Sequence, residues 1–211
     1  MIEKIRPLFI ALSVIFISGV FTGAYFSDRV STTNNTFSAG TWSVTPSATA
    51  TPAPARVVIN EVLYAPSGPD PNGEWVEIYN AGGTAVDLSG YVLSDGEGTL
   101  ILPSFTLNPN SYAVYAKDAA TFTANYGFAP NFSGSSIALG NDGDELALYN
   151  ASSTLVDSVA WEGGVFPGIV PHPGVSEGHS IARSPDGKDT DDCSVDFVDK
   201  APPLTPGGSN V

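Results

Sequence analysis

Asp186-Gly187-Lys188-Asp189-Thr190-Asp191-Asp192, with Asp196 and Asp199 just beyond, is the stretch richest in ligand-type side chains. Carboxylates at alternate positions converge on one hard cation when their loop curls, since Ca2+ accepts about six to eight oxygens. Asp186, Asp189, Asp191, Asp192 and Asp196 are therefore candidate Ca2+ ligands. Extracellular calcium is plentiful enough to fill weak sites with dissociation constants of about 10−4 to 10−3 M. The spacing is not that of an EF-hand, because the closing bidentate Glu is missing. The plainer reading is a solvated acidic loop whose aspartates make turns.

Catalytic arrangements are harder to assemble. His179 and Ser180 could join an aspartate as a Ser–His–Asp set, and His172 lies in the same Pro/Gly-rich region. No nucleophile-elbow sequence surrounds Ser180, and no strand-to-helix turn would hold one. Paired carboxylates for glycoside hydrolysis can be drawn in any acidic chain, so their presence says little. Cys193 sits among aspartates, which raise a thiol pKa and disfavour a reactive thiolate. Trp75 between Glu74 and Glu77 offers a ligand face, but a structural aromatic at the sandwich edge with acids at its margins accounts for it better. Asp87 before Leu88-Ser89-Gly90, and Asp157 in Val156-Asp157-Ser158, read as turn caps or acceptors for backbone amides. No residue is assigned a catalytic role, and no cofactor motif is present.

Composition narrows the partners. Lys+Arg 8 against Asp+Glu 22 leaves a formal charge of −14 over 211 residues. Such a surface repels phosphate, which argues against nucleic-acid binding. Hydrophobic residues at 42% and charged residues at 14% are too apolar a mixture for a disordered chain. Gly 22 and Pro 17 point to many short elements joined by turns. A single Cys excludes an intrachain disulfide framework.

The elements that would position these residues divide into three stretches. In residues 1–24, Lys4 and Arg6 precede an apolar run from Leu8 to Ala24, read as a cleaved signal peptide or a retained anchor helix. Either exports the remainder, and contact with a membrane is expected only through this segment. Without residues 1–24 the chain has 6 basic and 21 acidic residues, 6 − 21 = −15, so the exported part is the acidic part. Residues 25–55 form a linker that ends in the Pro/Thr/Ala-rich run Thr45–Ala55, a semi-extended spacer. From Arg56 the segments are short and β-like. Val57–Tyr64, Glu74–Asn80, Gly90–Asp95, Thr99–Leu102, Ser111–Ala116, Glu145–Tyr149, Leu155–Trp161 and Ser180–Arg183 read as strands. Val76 and Ile78 share one face, and Trp75, Glu77 and Tyr79 the other. Lys117–Tyr126 reads as a helix of two turns, and Asn141-Asp142-Gly143-Asp144 as a hairpin turn. The fold expected is all-β, an Ig-like antiparallel β-sandwich over residues 56–209.

Two resemblances sharpen this. Tyr25-Phe26-Ser27-Asp28 followed by Asn35-Thr36-Phe37-Ser38-Ala39-Gly40-Thr41 resembles the start of exported TasA/camelysin-type proteins processed by a SipW-like signal peptidase, over residues 1–44 only. Further on, Ile59-Asn60-Glu61-Val62, Glu74-Trp75-Val76-Glu77-Ile78-Tyr79-Asn80, Val86-Asp87-Leu88-Ser89-Gly90-Tyr91, Leu139–Leu146, Val156-Asp157-Ser158-Val159 and His179-Ser180-Ile181-Ala182-Arg183 resemble, in order, the motifs of the lamin-tail domain. Asp189-Thr190-Asp191-Asp192, Asp196-Phe197 and Pro206-Gly207 resemble the close of its prokaryotic members, with Ala182 where that family usually has Glu. The resemblance implies an Ig-like sandwich, generally non-catalytic, used as a module of exported and surface proteins. The expectation is a structural or adhesive module that meets other surface or matrix proteins or cell-wall polymer. The alternative is a Ca2+-dependent binding module for the same partners.

Overall fold

The computed structural model describes residues 51–210. The expected signal or anchor segment 1–24, and the linker as far as residue 50, lie outside the described residues. Among the described residues no helix is long and apolar enough to cross a membrane.

The fold is an Ig-like antiparallel β-sandwich. Strand β1 (Val57–Leu63) is rich in β-branched residues and pairs antiparallel with β2 (Trp75–Asn80). Short strands follow: β3 (Val86–Asp87), β4 (Val92–Ser94), β5 (Thr99–Ile101), β6 (Thr106–Leu107) and β7 (Tyr112–Ala116). Helix α1 (Ala119–Tyr126) leads to β8 (Phe132–Ser133), β9 (Gly143–Tyr149) and β10 (Leu155–Glu162). The chain closes with β11 (Ser180–Arg183), the single turn α2 (Cys193–Asp196) and β12 (Phe197–Lys200). The larger sheet runs β12-β11-β1-β2-β7-β8, the smaller β10-β9-β4-β5, and β3 pairs with β6. Among the strand pairs of the described residues only β7–β8 is parallel.

Alternation sets the inner faces. Ile59, Val62, Val76, Ile78, Ala113, Tyr115 and Ile181 from the larger sheet meet Leu93, Leu146, Leu148, Val159 and Trp161 from the smaller in one core. The hairpin expected between Glu145–Tyr149 and Leu155–Trp161 is present, with Leu155 opposite Tyr149 and Glu162 opposite Gly143. The hairpin expected at Asn141–Asp144 is not formed. The preceding strand, β8, lies in the other sheet beside β7, so the chain crosses between sheets through residues 134–142. Asn141 and Asp142 make the turn that ends this crossing, and Gly143, at φ 130, opens β9. Space is tight here: a Cβ on Gly164 would collide with the Asp144 carbonyl.

The departure that matters most for function is a third layer. All six residues of β2 are buried, although its outer side chains were expected at a sandwich edge. Helix α1 covers Trp75, and the C-terminal segment reaches Glu77 through the Gly207 amide. Asp118 caps the helix N-terminus by accepting from Thr121 N–H at 2.8 Å, and Gly127 ends the helix in the left-handed conformation. Phe122 and Tyr126 then pack on Trp75, Leu63 and Val114, with Leu204 from the C-terminal segment closing the cluster. The Trp75 indole N–H donates to Tyr126 Oη at 2.9 Å. A buried indole must find such a partner, and the helix supplies it. Phe122→Ala is expected to cost about 3–5 kcal/mol in equilibrium urea unfolding, the usual price of emptying a buried aromatic site.

Candidate functional site

Arg183 is the residue around which the chemistry-bearing side chains gather. Its place after Ile181 on β11 turns it inward, where it is 1% exposed. Nη2 donates to both carboxylate oxygens of Asp157 at 3.1 Å, and Nε donates to the Ile59 carbonyl at 2.8 Å. Nη1 donates to the Lys188 carbonyl and lies 3.5 Å from carboxylate oxygens of Asp189 and Asp196. The guanidinium stacks over Phe197, 4.5 Å from the ring centroid. Asp157 belongs to β10 of the smaller sheet, so this pair joins the two layers. Its oxygens also accept from the Ile59 and Ser158 amides, at 2.6 and 2.8 Å. Burial pushes the Asp157 carboxyl up to about 6 against the pull of Arg183.

The five candidate calcium ligands part company around this centre. Asp189 and Asp196 turn to Arg183, and Asp196 also accepts from the Thr190 amide and hydroxyl, at 2.6 and 2.9 Å. Asp192 caps α2 by accepting from Ser194 N–H at 3.1 Å. Asp191 adopts φ 61, and its carbonyl accepts from Val170 N–H at 3.1 Å. Asp186 leaves the group for the outer face of the larger sheet. The loop curls as the spacing suggested, but the cation at its centre is a guanidinium. Among the described residues no set of three or more His, Cys, Asp or Glu side chains is placed to hold a metal ion.

A second polar group lies on that outer face, beneath residues 201–210. The bulge at Ile59–Glu61 turns Asn60 and Glu61 to the same side, and Glu61 stands directly opposite Glu77. Both glutamates are fully buried. Glu77 accepts from Asn60 Nδ2 at 2.9 Å and from the Gly207 amide at 2.7 Å. Glu61 accepts from the Ser180 hydroxyl at 2.5 Å. Asp186 accepts from Asn60 Nδ2, Tyr112 Oη, Ser209 Oγ and the Asn210 amide. Burial opposes ionisation of Asp186, but those donors outweigh it and hold its carboxyl below the usual range. Burial pushes Glu61 up to about 7 and Glu77 up to about 8. Near the other end of β2, Glu74 is also pushed up by burial to about 8, while accepting from the Leu139 amide at 3.1 Å.

The paper triad does not assemble. Ser180 donates to Glu61 on the outer face, whereas His179 Nδ1 lies 2.6 Å from Asp199 at the surface. His172 is buried with Nδ1 accepting from the Gly174 amide, and burial lowers its pKa. Cys193 is 2% exposed, and burial pushes its thiol up to about 11. Asp87 accepts from the Ser89 and Phe105 amides, as a turn cap should.

Where β1 ends, a groove of about 490 Å3 opens between the loop after β1, helix α1 and the C-terminal segment. Leu63, Pro66, Pro69, Tyr126, Pro202 and Leu204 form its apolar walls, with Ser67 and Asn125 as polar handles. None of its lining residues is charged, in a chain of net charge −14. Sequence reasoning missed this groove, because its walls come from four separated segments that only the third layer brings together.

The Lamin Tail Domain family matches residues 50–163 of the chain, more than half its length. The motifs from His179 onward, Arg183 included, lie beyond that match. No curated protein matches. Among solved structures, a DUF4876 family protein from Bacteroides thetaiotaomicron is 14% identical, with a TM-score of 0.54 over 71% of this chain and 72% of that one. At that identity the likeness is one of fold.

Cys193 reports on closure of the loop around Arg183. In the native protein at pH 8 it is expected to resist alkylation that is complete within minutes in denaturant. Arg183→Met is expected to raise the native labelling rate by about tenfold or more, equivalent to about 1.4 kcal/mol of easier opening.

Proposed function

The chain belongs to the Lamin Tail Domain family, and from that premise we propose that it is a non-catalytic, exported β-sandwich module with a structural or adhesive role at the cell surface. The observation that supports this reading is how the reactive side chains are used. Arg183, Asp157 and Asp196 pair inside the fold with the more exposed Asp189 beside them, and Asn60 joins Glu77 and Asp186 beneath the C-terminal segment. The groove instead offers neutral, largely apolar contact with a few hydrogen-bonding groups. That chemistry suits an uncharged stretch of a surface or matrix protein, or a neutral cell-wall polymer, better than a charged ligand. The Pro/Thr/Ala-rich run before the sandwich would hold the module away from its point of attachment.

Co-sedimentation of the purified chain with isolated cell walls, before and after protease treatment of the walls, tests the reading and separates polymer from protein as the partner. Binding is expected to change less than about twofold between 0.05 and about 0.5 M salt, since contacts with a neutral partner are little screened. Ser67→Glu with Asn125→Glu, which puts charge at the groove, is expected to weaken it by about tenfold. Binding that collapses with salt, or that ignores both substitutions, would contradict the reading.

A further inference from the structure

Among the described residues two buried side-chain atoms have no hydrogen-bond partner: Oε2 of Glu61 and Oδ1 of Asn210. Both are acceptors, and a buried polar atom left unpaired costs about 1–3 kcal/mol. They belong to one patch. Asn210 Nδ2 donates at 3.2 Å to the carbonyl of Asn60, the residue before Glu61. It donates at the same distance to the carbonyl of Arg183, the neighbour of Ala182, which is the register partner of Glu61. Those two carbonyls fix the amide orientation, because a flipped Asn210 would set oxygen against oxygen. Oδ1 is therefore an acceptor in want of a donor, and Oε2 of Glu61, the residue after one of the two bonded carbonyls, is in the same condition.

One proton meets both needs. A neutral Glu61 carrying hydrogen on Oε2 becomes a donor to Asn210, while Oε1 goes on accepting from Ser180. We propose that Glu61 is a neutral carboxylic acid that donates to the Asn210 side chain, that this bond latches residues 201–210 onto the outer face of the larger sheet, and that loss of the proton as pH rises frees the segment.

The surroundings favour the proton. Glu77 faces Glu61 from β2, and Asp186 adds negative charge from the loop after β11. Tyr126 on α1 feels the Glu61 charge, and Tyr112 on β7 is bonded to Asp186. Among the described residues the facing cation is Lys200 on β12, whose Nζ donates to the Asn210 main-chain carbonyl at 2.9 Å. Burial outweighs Lys200 and the Ser180 bond, and lifts Glu61 from 4.5 to about 7. Burial, with Glu61 among its neighbours, lifts Glu77 from 4.5 to about 8. Closing the segment therefore takes up protons. The stabilisation is complete below 4.5 and is lost as pH rises through about 7 and then about 8. Other contacts also favour the closed segment: the Asp186 bonds to Ser209 and Asn210 do not depend on this proton, and Leu204 packs in the cluster around Trp75. Release is therefore a shift in population and leaves the sandwich folded.

Pro202, Pro203 and Leu204 of this segment also line the groove, so the latch sets one of its walls. The test reads the segment itself, and stands or falls whether or not the groove binds anything.

Amide hydrogen exchange on the full chain, followed by NMR at about pH 5 and about pH 8.5, gives protection factors for Gly207 and Asn210. Relative to amides of the β1–β2 pair, these are expected to fall by about tenfold or more at the higher pH. The carbon-13 shift of the Glu61 carboxyl is expected to titrate near neutrality. Glu61→Gln supplies a donor that does not titrate, and is expected to keep most of the protection at the higher pH. Asn210→Ala is expected to lower protection of the Gly207 amide at both pH values, while amides of the β1–β2 pair keep theirs. A Glu61 midpoint near 4.5, or wild-type protection that does not change with pH, would overturn the proposal.

Discussion

The contact between Arg183 and Asp157 carries a constraint that most of the molecule answers to. A guanidinium withdrawn from water is costly unless every face of it is matched. Here one side is met by Asp157 from the opposite sheet, one edge by the Ile59 carbonyl, and the remaining nitrogen by the Lys188 carbonyl, Asp189 and Asp196. The strand that supplies Arg183, the bulge that frees the Ile59 carbonyl and the loop that wraps from Asp186 to Asp196 all follow from it. In a chain with 8 basic and 22 acidic residues, one buried cation also organises several of the acids that would otherwise repel one another.

A second consequence concerns the other acids. Glu61 and Glu77 are buried on the far side of the same sheet, with the half-buried Asp186 beside them, and none of the three bonds to that cation. They rely on amides, hydroxyls and, for Glu61, a proton. The third layer, helix α1 and the C-terminal segment, makes this possible by removing water from a face that a two-layer sandwich would leave wet. The same layer forms the uncharged groove, so burial of acids and creation of a neutral surface are two outcomes of one covering.

Much of the fold was legible in the sequence. Val57–Tyr64, Glu145–Tyr149 and Leu155–Trp161 announced themselves by β-branched and alternating residues, and Asp118 with Gly127 bracket the one helix that two apolar turns suggested. Asp87 and Asp157 were legible as amide acceptors, because Asp before a turn, or within a strand, seeks a backbone N–H. The partner of Asp157 was not, since Arg183 was simply the end of a short strand motif. The signal was available: a β-strand position two after Ile181 points to the same face as Ile181, and an arginine there must find carboxylates. The buried glutamates were missed for a related reason. Alternation assigned Glu77 to the outer face correctly, but an outer face is taken to be wet unless something covers it. The covering residues, Phe122, Leu204 and Gly207, lie from 45 to 130 positions away. The Asn-Asp-Gly run misled because a turn sequence shows that the chain reverses, and not which strands it joins.

The central claim, that Arg183 and Asp157 hold the two sheets together, is tested most directly by a double-mutant cycle. Equilibrium unfolding would be measured for the wild type, Arg183→Met, Asp157→Asn and the double variant. A coupling energy of about 2–3 kcal/mol is expected, with the double variant much less damaged than the sum of the single ones. Additive losses, with coupling within about 0.5 kcal/mol of zero, would contradict it.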